Sequence, residues 1–113
     1  MDYRLKKEKD FNTVFKKGKR LFSNTLTIVY LPSKELKAGF AVGKKHGGSV
    51  KRNRIKRILR ESFRSFMPYF RQNFFFVFIP KVNSEYDFHE IKKDMNYLFK
   101  KGNLLKSEDV EIY

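Results

Sequence analysis

The chain has 113 residues, with 26 Lys or Arg against 12 Asp or Glu and a formal net charge of +14. This length allows one domain, residues 1–113, and 41% hydrophobic residues with 13 Phe and 6 Tyr exclude wholesale disorder. The absence of Cys excludes a disulfide framework and thiolate metal sites, and it fits a reducing compartment. The excess charge must lie on a folded surface, so a polyanion, nucleic acid above all, is the expected partner.

No apolar run approaches the ~18 residues that a membrane span needs. The first six residues also lack the apolar stretch of a secretory signal. We therefore expect a cytoplasmic protein that does not associate with a membrane.

The first half of the chain predicts one helix and two strands. Apolar residues recur at helical spacing within residues 7–17, and Gly18 follows where a helix would end. Residues 24–31 and 37–42 are compact runs rich in strand-forming residues, with a short turn segment between them. These two runs predict an antiparallel pair of strands.

The second half predicts a helix, a strand and a helix. The glycine-rich residues 43–48 precede a helix that we expect to be capped by Ser49 and to end near Pro68. Residues 74–79 are uniformly apolar, which predicts a central strand covered on both faces. Asp87, with an acid three residues later, caps the last helix. The predicted order is αββαβα in a single α+β domain.

A basic segment is the most distinctive feature of the chain. Residues 44–64 contain nine Lys or Arg and one acid, and on a helical wheel the cations form a continuous stripe opposite the apolar face. A solvated helix face would explain charge alone. However, five of the eight Arg in the chain lie between positions 52 and 64, and the planar guanidinium suits bidentate phosphate contacts.

The position of these cations also favours an anionic ligand. Lys51, Arg52 and Arg54 crowd the helix start, where the macrodipole disfavours each cation by ~0.3–1 kcal/mol. A phosphate docked there would meet free N–H groups together with the side-chain cations.

Aromatic and titratable residues leave more than one interpretation open. Phe11 and Phe15 share a helix face and Tyr30 lies on the first predicted strand, so these rings either pack in the core or stack on unpaired bases. His46 and His89 are the only histidines, and an acid–base pair or a metal site would need them to converge. We therefore expect neither a catalytic residue nor a metal ligand in this chain.

Residues 49–61 closely resemble the Arg-Asn-Arg signature of the protein subunit of bacterial ribonuclease P, and read SVKRNRIKRILRE. Residues 5–18 resemble the opening helix of that family, and residues 39–45 resemble its strand and Lys-Lys loop. The later strand and the last helix agree with the family in pattern more than in identity.

The resemblance implies an α+β sandwich like domain 2 of ribosomal protein S5, with a left-handed βαβ crossover against the usual right-handed rule. It also implies that the partner RNA, not the protein, carries the Mg²⁺-dependent hydrolysis that removes the 5′ leader of precursor tRNA. The implied partners are the ribonuclease P catalytic RNA and precursor tRNA, with no small-molecule substrate.

The resemblance further implies two sets of RNA-contacting residues. The first set would face the catalytic RNA and comprises Lys44, Lys45, Lys51, Arg52, Asn53, Arg54, Lys56, Arg57 and Arg60. The second set would line a cleft against the sheet that takes the leader, and comprises Phe11, Phe15 and Tyr30.

Two other functions are open from the sequence. A small ribosomal protein would share the charge and size, although the acidic residues 107–113 differ from the basic tails that such proteins often carry. A self-sufficient nuclease would use His46 or His89, and it would be active without RNA.

Overall fold

Four strands form one sheet with helices on both of its faces in the computed structural model, which describes residues 2–83 and 85–106. The helices are α1 (Glu8–Lys17), α2 (Ser49–Arg64) and α3 (Phe88–Lys101). The strands are β1 (Lys19–Phe22), β2 (Leu26–Pro32), β3 (Lys37–Phe40) and β4 (Phe74–Pro80). The predicted α+β class is confirmed, and β1 is a strand that the sequence pattern did not predict.

The strand order is β1-β2-β4-β3, so β4 lies between β2 and β3. The predicted central position of residues 74–79 is therefore confirmed. The predicted antiparallel pairing of residues 24–31 with residues 37–42 is wrong, because β2 pairs antiparallel with β4 and β3 pairs parallel with β4. A strand that is apolar on both faces is best covered at the centre of a sheet, and direct β2–β3 pairing would have left β4 at an edge.

A βαβ unit positions the basic helix, because α2 connects the parallel neighbours β3 and β4. The left-handed sense that the resemblance implies for this crossover stays a prediction. The acidic residues 107–113 lie outside the described residues. Within the described part of the chain, none of the helices has the length and apolar character needed to cross a bilayer.

Alternate residues of the central strands supply two cores. Ile28 and Phe78 belong to the main core under α2 and α3, where the ring centroid of Phe63 lies 5.4 Å from that of Phe78. Val29 and Val77 belong to a smaller core under α1. Because both faces of β4 are buried, the sheet is a fixed platform for the helices on either side.

Helix ends agree with the sequence to within a few residues. α2 begins at Ser49 with Gly48 as its N-cap, one residue earlier than predicted. α2 ends at Arg64, and Pro68 lies in the short 3-10 helix that follows. The predicted cap of α3 is confirmed, since the Oδ2 atom of Asp87 accepts the N–H of Glu90 at 3.1 Å.

Gly39 allows α1 to pack closely on the sheet. A Cβ atom at this position would lie 2.4 Å from two ring atoms of Phe11, so Gly39→Ala must displace that ring from the smaller core. We expect the free energy of unfolding in urea to fall by about 1–3 kcal/mol. The double variant Gly39→Ala with Phe11→Leu should recover part of the loss, and an unchanged stability of Gly39→Ala would contradict the tight contact.

Candidate RNA-binding surface

The outer face of α2 presents the predicted basic stripe to solvent. The helix buries its apolar face together with Ser62, through Ile55, Ile58, Leu59, Ser62 and Phe63. On the opposite side Asn53, Arg54, Arg57 and Arg64 are exposed, and Lys56 and Arg60 are half-buried at its margin. The cations therefore form one accessible surface, as the helical wheel predicts.

The start of α2 has backbone N–H groups that are available to an anion. No side chain caps the helix at Gly48, so the first-turn N–H groups lack a side-chain acceptor within residues 2–83 and 85–106. Lys44 and Lys45 lie in the short 3-10 helix just before it and are exposed. Backbone donors and ammonium groups thus lie at the same end of the basic stripe, an arrangement that suits a phosphate.

Lys51 and Arg52, two cations of the first turn, differ in their contacts with the rest of the protein. The Nζ atom of Lys51 donates to the carbonyl oxygen of Asn83 at 3.2 Å and lies 5.7 Å from the ring centroid of Tyr86. The Nε atom of Arg52 is buried and has no acceptor among the described residues, a situation that costs about 1–3 kcal/mol. Lys51 therefore also ties α2 to the loop after β4.

The segment before α1 extends the basic surface. It pairs with β3 at Ala38, and Arg4 lines an open cavity of about 600 Å³ together with Arg60 and Arg64. The sequence did not predict a role for Arg4, because only the tertiary pairing with β3 brings the start of the chain beside the end of α2.

Asp2 is an acidic member of this cavity. Its carboxylate lies 2.6 Å from the Nζ atom of Lys6 and accepts the backbone N–H of Arg4 at 3.0 Å. The Lys6 ammonium and the Arg4 N–H hold the pKa of Asp2 below its usual range. The carboxylate is therefore ionised at pH 7 and offsets part of the positive charge around Arg4.

His46 has a structural role. It is buried, its Nδ1 atom accepts the N–H of Gly43 at 3.1 Å, and its Nε2 atom lies 2.8 Å from the carbonyl oxygen of Pro80. A neutral ring with its proton on Nε2 satisfies both contacts. The imidazole thereby fastens the basic loop to the end of β4. The other histidine, His89, is exposed in the first turn of α3.

A second accessible surface lies on the α1 face of the sheet. Phe15 is 36% exposed, and the guanidinium carbon of Arg20 lies 5.9 Å from its ring centroid. Phe22 is 60% exposed. It follows Arg20 by two residues in β1, so the two side chains lie on the same face of the sheet. Phe11 is half-buried in the smaller core. The open part of this surface therefore consists of Phe15, Arg20 and Phe22.

Tyr30 lies on the other face of the sheet. Its neighbour Val29 belongs to the core under α1, and successive strand residues point to opposite faces. The Tyr30 ring packs against Phe74 and Phe76, with centroid distances of 5.8 and 6.4 Å. Only 8% of this residue is exposed.

The prediction that Tyr30 lines one cleft with Phe11 and Phe15 is therefore wrong. The period-two alternation of β2 places Tyr30 on the same face as Leu26 and Ile28, which belong to the main core. This alternation is visible in the sequence and could have assigned the ring. Phe11 and Phe15 share the α1 side, as their helical spacing predicts.

His46 provides a test of how the basic loop is held. We expect His46→Ala to lower the free energy of unfolding in urea by about 1–3 kcal/mol, because the Gly43 N–H and the Pro80 carbonyl lose their partner. The matched control is His89→Ala at an exposed position, which should change stability by less than about 0.5 kcal/mol. Equal stabilities of the two variants would show that the two hydrogen bonds do not hold the loop.

Comparisons with known proteins identify the family of this chain. The Ribonuclease P family model matches residues 1–103. The ribonuclease P protein component of Listeria monocytogenes is 38% identical, over 94% of this chain and 92% of that protein. The ribonuclease P protein component of Caldanaerobacter subterraneus is 37% identical, over 94% of each chain.

Solved structures share the fold. The RNase P protein of Staphylococcus aureus superposes with a TM-score of 0.82 at 24% identity, over 94% of this chain and all of that chain. The RNase P protein of Thermotoga maritima gives a TM-score of 0.74 at 26% identity, over 96% of this chain and 97% of the other. With the family match over nearly the whole chain, these relatives show that the chain belongs to the family of bacterial ribonuclease P protein components.

Proposed function

We propose that the chain is the RNA-binding subunit of a complex in which the RNA partner carries the hydrolysis that removes the 5′ leader of precursor tRNA. The observation that carries this proposal is the presence of two accessible surfaces of different chemistry. One is the basic stripe of α2 with the loop before it, and the other is the surface of Phe15, Arg20 and Phe22 on the opposite face of the sheet.

The basic stripe is the proposed contact with the catalytic RNA. Its exposed members Arg54, Arg57 and Arg64 stand on a helix that the main core holds in place. A helix held by the core presents these guanidinium groups in a row, which suits a folded RNA whose phosphates are themselves at fixed positions. Arg57 lies 3.2 Å from Glu61 in an exposed pair, and such pairs contribute little, so a phosphate would displace the carboxylate readily.

The surface of Phe15, Arg20 and Phe22 is the proposed contact with the single-stranded leader. Unpaired bases stack on exposed aromatic rings and on guanidinium planes. Phe15 and Arg20 offer both kinds of group within 5.9 Å. The half-buried Phe11 supports this surface from beneath by fixing α1 on Gly39. The leader would therefore be held by stacking and by charge, without readout of a fixed sequence.

We assign the Mg²⁺ implied by the resemblance to the RNA partner. Within the described residues no three His, Cys, Asp or Glu side chains come together in a group that could hold a metal ion. We also place the complex in the cytoplasm, where bacterial precursor tRNA is transcribed.

The test is reconstitution of this chain with the catalytic RNA of a bacterial ribonuclease P. We expect the protein alone to leave precursor tRNA intact, and the complex with Mg²⁺ to cleave at the mature 5′ end. In that complex, Phe15→Ala should weaken binding of precursor tRNA by about 5- to 140-fold, because one base stack contributes ~1–3 kcal/mol. Binding of mature tRNA, which has no leader, should not change.

The matched control is Tyr97→Ala on α3. Tyr97 is also an exposed aromatic with a cation near its ring, since the Lys101 ammonium lies 5.8 Å from its centroid. This variant should bind both tRNA forms normally. Cleavage by the RNA-free protein would contradict the proposed division of labour. A large fall in the melting temperature of Phe15→Ala, with an unchanged ratio of the two affinities, would show that Phe15 only packs in the core.

A further inference from the structure

A second cavity lies at the end of the sheet where β1 begins and β2 ends. Its volume is about 460 Å³, within the range of about 300–1,000 Å³ that is usual for small-ligand pockets. No residue of α2 lines it, and neither does Phe15, Arg20 or Phe22. It is therefore separate from both surfaces to which RNA contacts have been assigned above.

The hydroxyl group of Tyr30 is the first sign that this cavity takes a ligand. Tyr30 lines the cavity and is more than nine-tenths buried, with its ring fixed between Phe74 and Phe76. The Tyr30 hydroxyl makes no hydrogen bond to another described residue, and it is not one of the buried unsatisfied polar atoms of the described residues, so it is open to the cavity. A ring held in the core thus presents a hydroxyl group that a ligand in the cavity can reach.

The charge of the lining is the second sign. Lys17, Lys19 and Arg71 line the cavity, and no acidic side chain does so among the described residues. Arg71 is oriented by the protein, because its Nη1 atom donates to the carbonyl oxygen of Asn103 at 3.2 Å and its backbone N–H donates to that of Leu104 at 3.0 Å. The cavity therefore combines one fixed guanidinium, two ammonium groups and a hydroxyl donor, a set that suits a phosphate.

The remaining wall is apolar and includes Leu31, Pro32 and Phe74. A bare inorganic anion would leave this wall unused, whereas a nucleotide brings an apolar base and sugar with its phosphate. We propose that the cavity binds one unpaired nucleotide of an RNA strand. Lys17, Lys19 and Arg71 hold its phosphate, the Tyr30 hydroxyl donates to it, and the nucleoside lies against the apolar wall.

This site gives Tyr30 a contact on the opposite face of the sheet from Phe15. The strand alternation that excludes Tyr30 from the leader surface directs its ring toward the main core and its hydroxyl to the cavity. The proposal does not depend on the leader assignment, since the two sites share no residue. RNA is the favoured source of the nucleotide because the chain belongs to a family of RNA-partnered subunits.

The test is a titration of the full chain in which binding is monitored through the backbone amide NMR signals. The probes are uridine 5′-monophosphate, a uridine hexanucleotide and inorganic phosphate. We expect both nucleotides to give saturable shifts at Lys19, Arg71 and Asn103, and phosphate to bind several-fold more weakly. Tyr30→Phe keeps the ring and removes only the hydroxyl, so it should lower nucleotide affinity at these signals about tenfold.

Two lysine variants separate the site from general charge attraction. Lys19→Gln removes one cation of the cavity and should weaken binding several-fold. Lys93→Gln removes an exposed cation from α3 outside the cavity and should leave binding unchanged. If Tyr30→Phe does not fold, Lys19→Gln on the edge strand β1 tests the same cavity.

Four results would overturn the proposal. If the cavity variants and the parent chain bind the nucleotides with equal affinity, the cavity side chains do not contact them. If the NMR shifts are confined to α2, the nucleotides bind at the basic stripe and not in the cavity. Inorganic phosphate binding as tightly as uridine 5′-monophosphate would reduce the site to an anion site. Binding of the mononucleotide without binding of the hexanucleotide would exclude an RNA strand as the source.

Discussion

The burial of β4 on both faces and along both edges is the constraint on which the rest of this structure depends. β4 pairs with β2 and β3, and its alternate side chains supply the two cores. Because β3 lies beside β4 in parallel, the chain must cross the main core between them, and α2 is that crossover. The apolar face of α2 is therefore buried in the main core, and its cations are presented outward.

The free protein contains unfavourable charge interactions that a bound polyanion would relieve. Ion pairs within the protein cannot reduce the net charge of +14, because that value already subtracts 12 acids from 26 cations. The pairs of Asp2 with Arg4 and Lys6, and of Arg57 with Glu61, are exposed. Cations at the start of α2 oppose the helix dipole, and the donor of Arg52 is buried without an acceptor. Both features lower the stability of the free protein, and a phosphate bound at the start of α2 would make the cations there favourable.

Local patterns in the sequence predicted the elements better than their pairing. The apolar run of residues 74–79, the basic stripe and the Asp87 cap depend on neighbouring residues, so they were predicted correctly. β1 was missed because Lys-Arg-Leu-Phe is short and charged, and because its place at the edge of the sheet depends on pairing with β2. The β2–β4 pairing and the place of Arg4 beside Arg60 depend on contacts between distant parts of the chain, which no local pattern specifies.

The salt dependence of affinity for the catalytic RNA tests most directly whether the outer face of α2 neutralises RNA phosphates. The logarithm of the binding constant should fall linearly with the logarithm of salt concentration, with a slope of about 0.7 to 0.9 per phosphate contacted. Arg54→Gln with Arg57→Gln should reduce that slope by about 1.4 to 1.8, whereas Lys92→Gln with Lys93→Gln on α3 should not change it. Equal slopes for the parent chain and the α2 variant would contradict the account.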